Sequence, residues 1–136
     1  MARKISKARA SAIKHGYRSG FEHTVSKELT EAKVKFEYET TVISYIKPET
    51  NHTYTIDFTL PNGILVETKG RWVLEDRKKH LLIKKQHPEL DIRFVFMNPN
   101  GKIRKGSKTT YANFCDKHEI IWAAKSIPQE WYSEKN

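Results

Sequence analysis

Between Thr53 and Gly70 the chain reads TYTIDFTLPNGILVETKG, which sets two carboxylates, Asp57 and Glu67, and the ammonium of Lys69 within a short stretch. Two acids held within a few ångströms raise each other's pKa unless a cation lies between them. A hard divalent ion resolves that conflict, because it takes carboxylate, water and phosphate oxygens as ligands. A lysine beside such an ion can orient the attacking water or stabilise charge on a phosphoryl transition state. The chemistry on offer is therefore metal-assisted phosphodiester hydrolysis, provided the three side chains meet. Charges at alternate strand positions are ordinarily a solvated face. Here Phe58, Leu65 and Val66 flank the acids, which reads as an interior strand pair carrying acids.

Whether they meet depends on the turn. Both arms are rich in β-branched and aromatic residues, and Pro61-Asn62-Gly63 separates them. A two-residue Asn62-Gly63 loop would set Asp57 opposite Thr68 and turn Glu67 to the other side. A three-residue loop uses Pro61 for the preset φ of a type I turn and Gly63 for a left-handed bulge position. Asp57 then lies opposite Glu67, with Lys69 on the same face. The proline favours this second register.

The rest of the chain must position that hairpin. Ser19-Gly20-Phe21-Glu22 has capping-box spacing ahead of Phe21, Val25, Leu29 and Ala32, which predicts a helix from about Gly20 to Lys33 and gives Glu22 a structural role as well as a candidate chemical one. Residues 34–46 read as a strand with a break near Glu39-Thr40-Thr41, and Pro48 marks a connector. Residues 71–87 predict a basic helix ended by Pro88, in which Arg77, Lys78 and Lys84 are candidate phosphate contacts, and Trp72 is a candidate base-stacking or core residue. Residues 91–97 read as a strand buried on both faces, parallel to a hairpin strand through the helical crossover. A helix capped by Thr110, a strand over 120–123 and a last helical turn near Pro128 complete the chain.

The 136 residues suit one domain. A formal net charge of +9 points to a polyanionic partner, of which nucleic acid is the commonest. Residues 1–18 carry six Lys or Arg and no acid, a basic arm with Arg3, Lys4, Lys7, Arg9, Lys14 and Arg18 as candidate DNA contacts. Cys115 is alone and reads as a buried thiol, and no Cys or His spacing suits structural zinc. With no long apolar run and no signal-peptide hydrophobic region, the expectation is a cytoplasmic protein, neither secreted nor membrane-bound.

Asp57 followed by Glu67-Thr68-Lys69 on successive strands resembles the PD-(D/E)XK nuclease superfamily, with Ile56 in place of the usual proline. More of the chain resembles the phage endonuclease I family: RSGFEHTVSKEL, NHTYTIDFTLPNGILVETKG, DRKKHLLIKKQHPELDIRFVF and YANFCDKHEI. The resemblance implies a restriction-endonuclease-like mixed α/β core of helix, three-stranded antiparallel meander, helix and buried strand. It implies catalytic Glu22, Asp57, Glu67 and Lys69, and metal held by Asp57, Glu67, the Thr68 carbonyl and Glu22. Two Mg²⁺ per site are expected, with Mn²⁺ as a substitute. The expected partner is branched DNA, above all four-way (Holliday) junctions, resolved by paired nicks. An intertwined, domain-swapped homodimer is also implied, with residues 42–51 bridging the protomers, Glu22 reaching the partner's site, and a basic tail expected beyond Asn136. The rival readings are a restriction-like or repair nuclease on duplex DNA and a non-catalytic nucleic-acid-binding protein.

Overall fold

The computed structural model describes residues 20–47 and 50–135. The basic arm with its six candidate contacts, the Ser19 cap and the Pro48-Glu49 connector lie outside them. In chain order the elements are α1 (Gly20–Glu31), β1 (Glu37–Tyr38), β2 (Val42–Lys47), β3 (Thr50–Thr55), β4 (Phe58–Thr59), β5 (Leu65–Lys69), α2 (Leu74–Gln86), β6 (Ile92–Phe96), α3 (Tyr111–Lys117), β7 (Trp122–Ala124) and α4 (Gln129–Ser133). Five strands form one mixed sheet in the order β1-β4-β5-β6-β7, and β2 with β3 forms a separate two-stranded sheet. The β1-β4 and β4-β5 pairs are antiparallel, and β5-β6 and β6-β7 are parallel. The expected crossover through the basic helix is present: α2 carries the chain from β5 to its parallel neighbour β6.

The antiparallel part differs from a simple meander. Residues 53–60 do not make one strand, because the chain bends at Ile56-Asp57 and passes from the small sheet to the large one. Its partner bends at the same level. Between the pairs Tyr38–Phe58 and Val42–Thr55, three residues (39–41) oppose two (56–57). One extra residue in one strand is a β-bulge, which bends the strand and re-aims a side chain. Glu39 takes it up with a left-handed φ of 53°, and its N–H donates to the Asp57 carbonyl.

The turn Pro61-Asn62-Gly63 is the expected three-residue loop. Gly63 N–H donates to Leu60 O, Leu60 N–H donates to Ile64 O, and Gly63 sits at φ 89°. The paired residues Phe58–Val66 and Thr59–Leu65 put Asp57 level with Glu67.

Apolar packing holds both sheet faces. Val25 and Leu29 of α1 meet Phe58, Val66, Val95 and Trp131 on one face. On the other, Trp72 packs with Phe94, Phe96, Tyr111 and Cys115, and Ile43 and Tyr45 of β2 pack with Ile56, Leu65 and Ile83. Trp72 is fully buried, so it serves the core and not a base, and truncating such a side chain to Ala costs about 3–5 kcal/mol. Cys115 is buried as expected, its thiol pushed up to about 12 by burial and then by Asp116.

β2 and β3 pair with each other as an antiparallel ribbon. The free edge of β2 is covered by the end of α2: Gln86 accepts from Ile46 N–H and donates to Ile46 O, which satisfies groups that an open edge would expose.

Candidate active site

β5 is the central strand of the large sheet, and Leu65, Val66, Glu67 and Thr68 are all buried. Glu67 is wholly buried. Its Oε1 accepts from the Asp57 N–H at 2.9 Å, and its Oε2 accepts from the Tyr54 hydroxyl at 2.8 Å and pairs with Lys69 Nζ at 3.4 Å. Burial and then the charge of Asp57 push the Glu67 carboxyl up to about 8, against the opposing pull of Lys69 and the two hydrogen bonds.

The backbone bends at Asp57, whose charge still bears on Glu67. Oδ2 turns to accept from the Thr68 N–H at 2.9 Å and the Thr68 hydroxyl at 3.1 Å. This aims Asp57 at α1 and the bulge. Glu22, Glu39 and Asp57 each bring a carboxylate oxygen to within 4.8 Å of the others. Glu22 enters from the first turn of α1 and accepts from the Tyr38 hydroxyl. The all-oxygen donor set suits a hard divalent ion. Glu22 reaches Asp57 within a single chain, so this geometry needs no acid from a second protomer.

Lys69 is held from three sides. Its Nζ donates to the Tyr54 hydroxyl at 2.9 Å and forms ion pairs with Glu67 and, at 3.6 Å, with Asp76 of α2. Tyr54 thus links the lysine to the buried acid. Burial, then the charge of Glu67, raises the phenol pKa, which keeps it a neutral donor. Beneath it His80 packs edge-on to Tyr54, with ring centroids 4.6 Å apart. Burial, then Lys69 and Lys79, holds His80 well below its ordinary pKa, so the imidazole is neutral and its 3.8 Å approach to Glu67 is no ion pair. The open side is a cavity of about 540 Å³ lined by Glu22, Asp57, Thr68, Lys69, Asp76 and Lys79 together with Thr53, Tyr54 and Thr55.

The structure thus brings together Glu22, Asp57, Glu67, Thr68 and Lys69, all expected from the sequence. Glu39, Tyr54, Asp76, His80 and Lys79 were missed. A strand break at Glu39-Thr40-Thr41 was legible, but not that a bulge there would turn Glu39 inward. Arg77 needs correction as a phosphate contact: it is buried, donating through Nε to Trp72 O at 3.2 Å and through Nη2 to Ile103 O at 3.0 Å. Lys78 and Lys84 are exposed, and Lys84 Nζ donates to Glu119 O.

A carboxylate cluster and a tethered lysine beside an open cavity are the groups that metal-assisted phosphodiester hydrolysis calls for. The chain belongs to the phage endonuclease I family, whose model matches residues 1–136. It is 58% identical over 118 residues to Endonuclease I of Escherichia phage T7, which covers 87% of this chain and 79% of that protein. It is 56% identical over 112 residues to Endodeoxyribonuclease 1 of Enterobacteria phage T3, covering 82% of this chain and 74% of that one. Among the described residues no helix is long and apolar enough to cross a membrane.

Proposed function

We propose that this chain is a Mg²⁺-dependent, structure-selective DNA endonuclease that acts as a homodimer on four-way junctions and other branched DNA, in the cytoplasm of the phage's host. The observation that carries the chemistry is the convergence of the Glu22, Glu39 and Asp57 carboxylates, two of which, Glu22 and Asp57, line one open cavity with Lys69. DNA as substrate is supported by the names of the two phage relatives. Junction selectivity is supported by the family resemblance, and it would rest on shape and phosphate positioning.

Glu22, Glu39 and Asp57 would hold one ion, and Asp57, Glu67 and the Thr68 carbonyl a second. When bound, the metal supplies Lewis-acid stabilisation of the charge that builds on the phosphoryl oxygens. The protein's own groups do the positioning. Thr68 orients Asp57, the Asp57 N–H and Tyr54 orient Glu67, and Tyr54 with Asp76 keeps the Lys69 ammonium at the cavity wall. From there Lys69 stabilises the attacking water or the phosphoryl charge. Water adds to phosphorus and the P–O3′ bond breaks, leaving a 5′-phosphate and a 3′-hydroxyl that takes the proton. In a swapped dimer, residues 20–47 of one protomer would make these same contacts with residues 50–135 of the other, and sedimentation equilibrium at micromolar concentration is expected to return a dimer.

The test is cleavage of a four-way junction and a linear duplex, each with Mg²⁺ or EDTA. Junction cleavage that requires Mg²⁺ is expected, and Asp57→Asn should lower it by about 10³-fold or more while junction binding persists. No Mg²⁺-dependent cleavage of either DNA would overturn the enzyme reading. Equal cleavage of both would point instead to a duplex nuclease.

A further inference from the structure

A second charged cavity, of about 610 Å³, opens on the other side of the β5 exit, between residues 70–74 and the loop 102–106. Its lining includes Arg71, Arg77, Lys102, Arg104 and Lys105 and no acid. Arg71, Lys102, Arg104 and Lys105 are exposed, and none has a carboxylate within ion-pair distance among the described residues. Lys69 and Arg93, by contrast, each sit between two acids, Lys69 beside Glu67 and Asp76 and Arg93 beside Asp91 and Glu134. Four cations left uncompensated around one concavity repel one another, a cost that an anion bound among them removes.

The walls are built and tethered. Buried Arg77 spans the floor, donating to Trp72 O on one wall and Ile103 O on the other. The loop is a tight reversal: Ile103 N–H donates to Thr109 O, Ser107 N–H to Arg104 O, and Gly106 takes φ 82°. Arg104 and Lys105 stand at its tip. Gly101 lets the loop base lie against Tyr111, since a Cβ there would meet that ring at 2.9 Å. The Tyr111 hydroxyl in turn accepts from the Trp72 N–H. Arg71 follows Lys69 by two residues, so the cleft begins where the chain leaves the end of β5.

We propose that this cleft is a DNA-backbone subsite, in which Arg71, Lys102, Arg104 and Lys105 hold phosphates of the strand that runs away from the bond being cut. The proposal rests on the endonuclease reading and adds to it the residues that fix where the strand lies. Arginine forks grip phosphate oxygens in pairs and lysines act as point charges, so the set fixes position without reading bases.

The test compares full-length wild type, Arg104→Ala/Lys105→Ala, Arg71→Ala, and a control pair of equal charge loss, Lys27→Ala/Lys35→Ala, whose lysines are exposed and distant in sequence from the cleft. Binding to a fluorescent four-way junction is measured in EDTA from 50 to 200 mM salt. Each phosphate contact contributes about 0.9 to the slope of log affinity against log salt. The cleft pair should therefore flatten that slope by about 1.8, so that its shortfall against wild type shrinks by about 12-fold across the range. Arg71→Ala, on the opposite wall, should remove about half that slope, and the control pair should keep the wild-type slope. A cleft pair matching the control pair, or a slope unchanged in both cleft variants, would overturn the subsite. Wild-type cleavage in Mg²⁺, run alongside, reports separately on the endonuclease reading.

Discussion

Two hairpins follow each other in the chain and could hardly be used more differently. β4–β5 lies inside a five-stranded sheet, covered on both faces, and its buried positions include charges. β2–β3 stands off as its own sheet, with Ile43 and Tyr45 turned to the core and Val42 and Ile46 each 58% exposed. The first hairpin keeps acids out of water and charges for chemistry what it loses in solvation. The second is an ordinary amphipathic ribbon whose alternation is intact. The bulge at Glu39–Thr41 joins them, and it delivers a carboxylate to the first hairpin from the strand that leads to the second.

The sharpest way to test that division is at the join. If Glu39 completes the acidic cluster, Glu39→Gln should weaken Mg²⁺ or Mn²⁺ binding about 10- to 100-fold, read by calorimetry, with folding retained. Metal affinity equal to wild type would confine the site to the β4–β5 hairpin and α1.

A second effect concerns the cost of burying Glu67. Its folded pKa, near 8, lies above the ordinary carboxylate value, so the stability of its neutral form is complete below about pH 4 and is lost as pH rises through 8. In EDTA the wild type should therefore lose stability between pH 5 and pH 8 relative to Glu67→Gln, by on the order of 2 kcal/mol, read by denaturant melts. A gap that stays constant with pH would mean that Glu67 is ionised throughout.

The smallest effect belongs to the β2–β3 ribbon. Val42→Thr and Ile46→Thr keep the β-branched shape, and on an exposed face they should shift stability by less than about 0.5 kcal/mol, whereas Ile43→Ala should cost roughly 2–4 kcal/mol. A comparable loss from the outward pair, growing with protein concentration, would show that a second chain covers that face.

Much of the candidate site was legible because its signals are local. Pro61 presets a turn dihedral and Gly63 supplies a positive φ, so loop length, register and the level at which Asp57 meets Glu67 follow from a few residues. Helical periodicity marked α1, basic residues closed by Pro88 marked α2, and a continuous apolar run marked β6. Arg77 was misplaced because a basic helix gives no sign of which cation turns inward; that depends on the carbonyls of Trp72 and Ile103, distant in sequence from each other.

What the sequence by itself determined is the identity of the chemical groups and their hairpin register, since turn chemistry and side-chain alternation act over a handful of residues. Tertiary structure alone decided where the groups point. The bend at Ile56-Asp57 and the bulge opposite it exist because two strands must leave one sheet for another. That change of sheets brings the Asp57 carboxylate to Glu22 and Glu39, and it depends on packing between elements that no local pattern encodes.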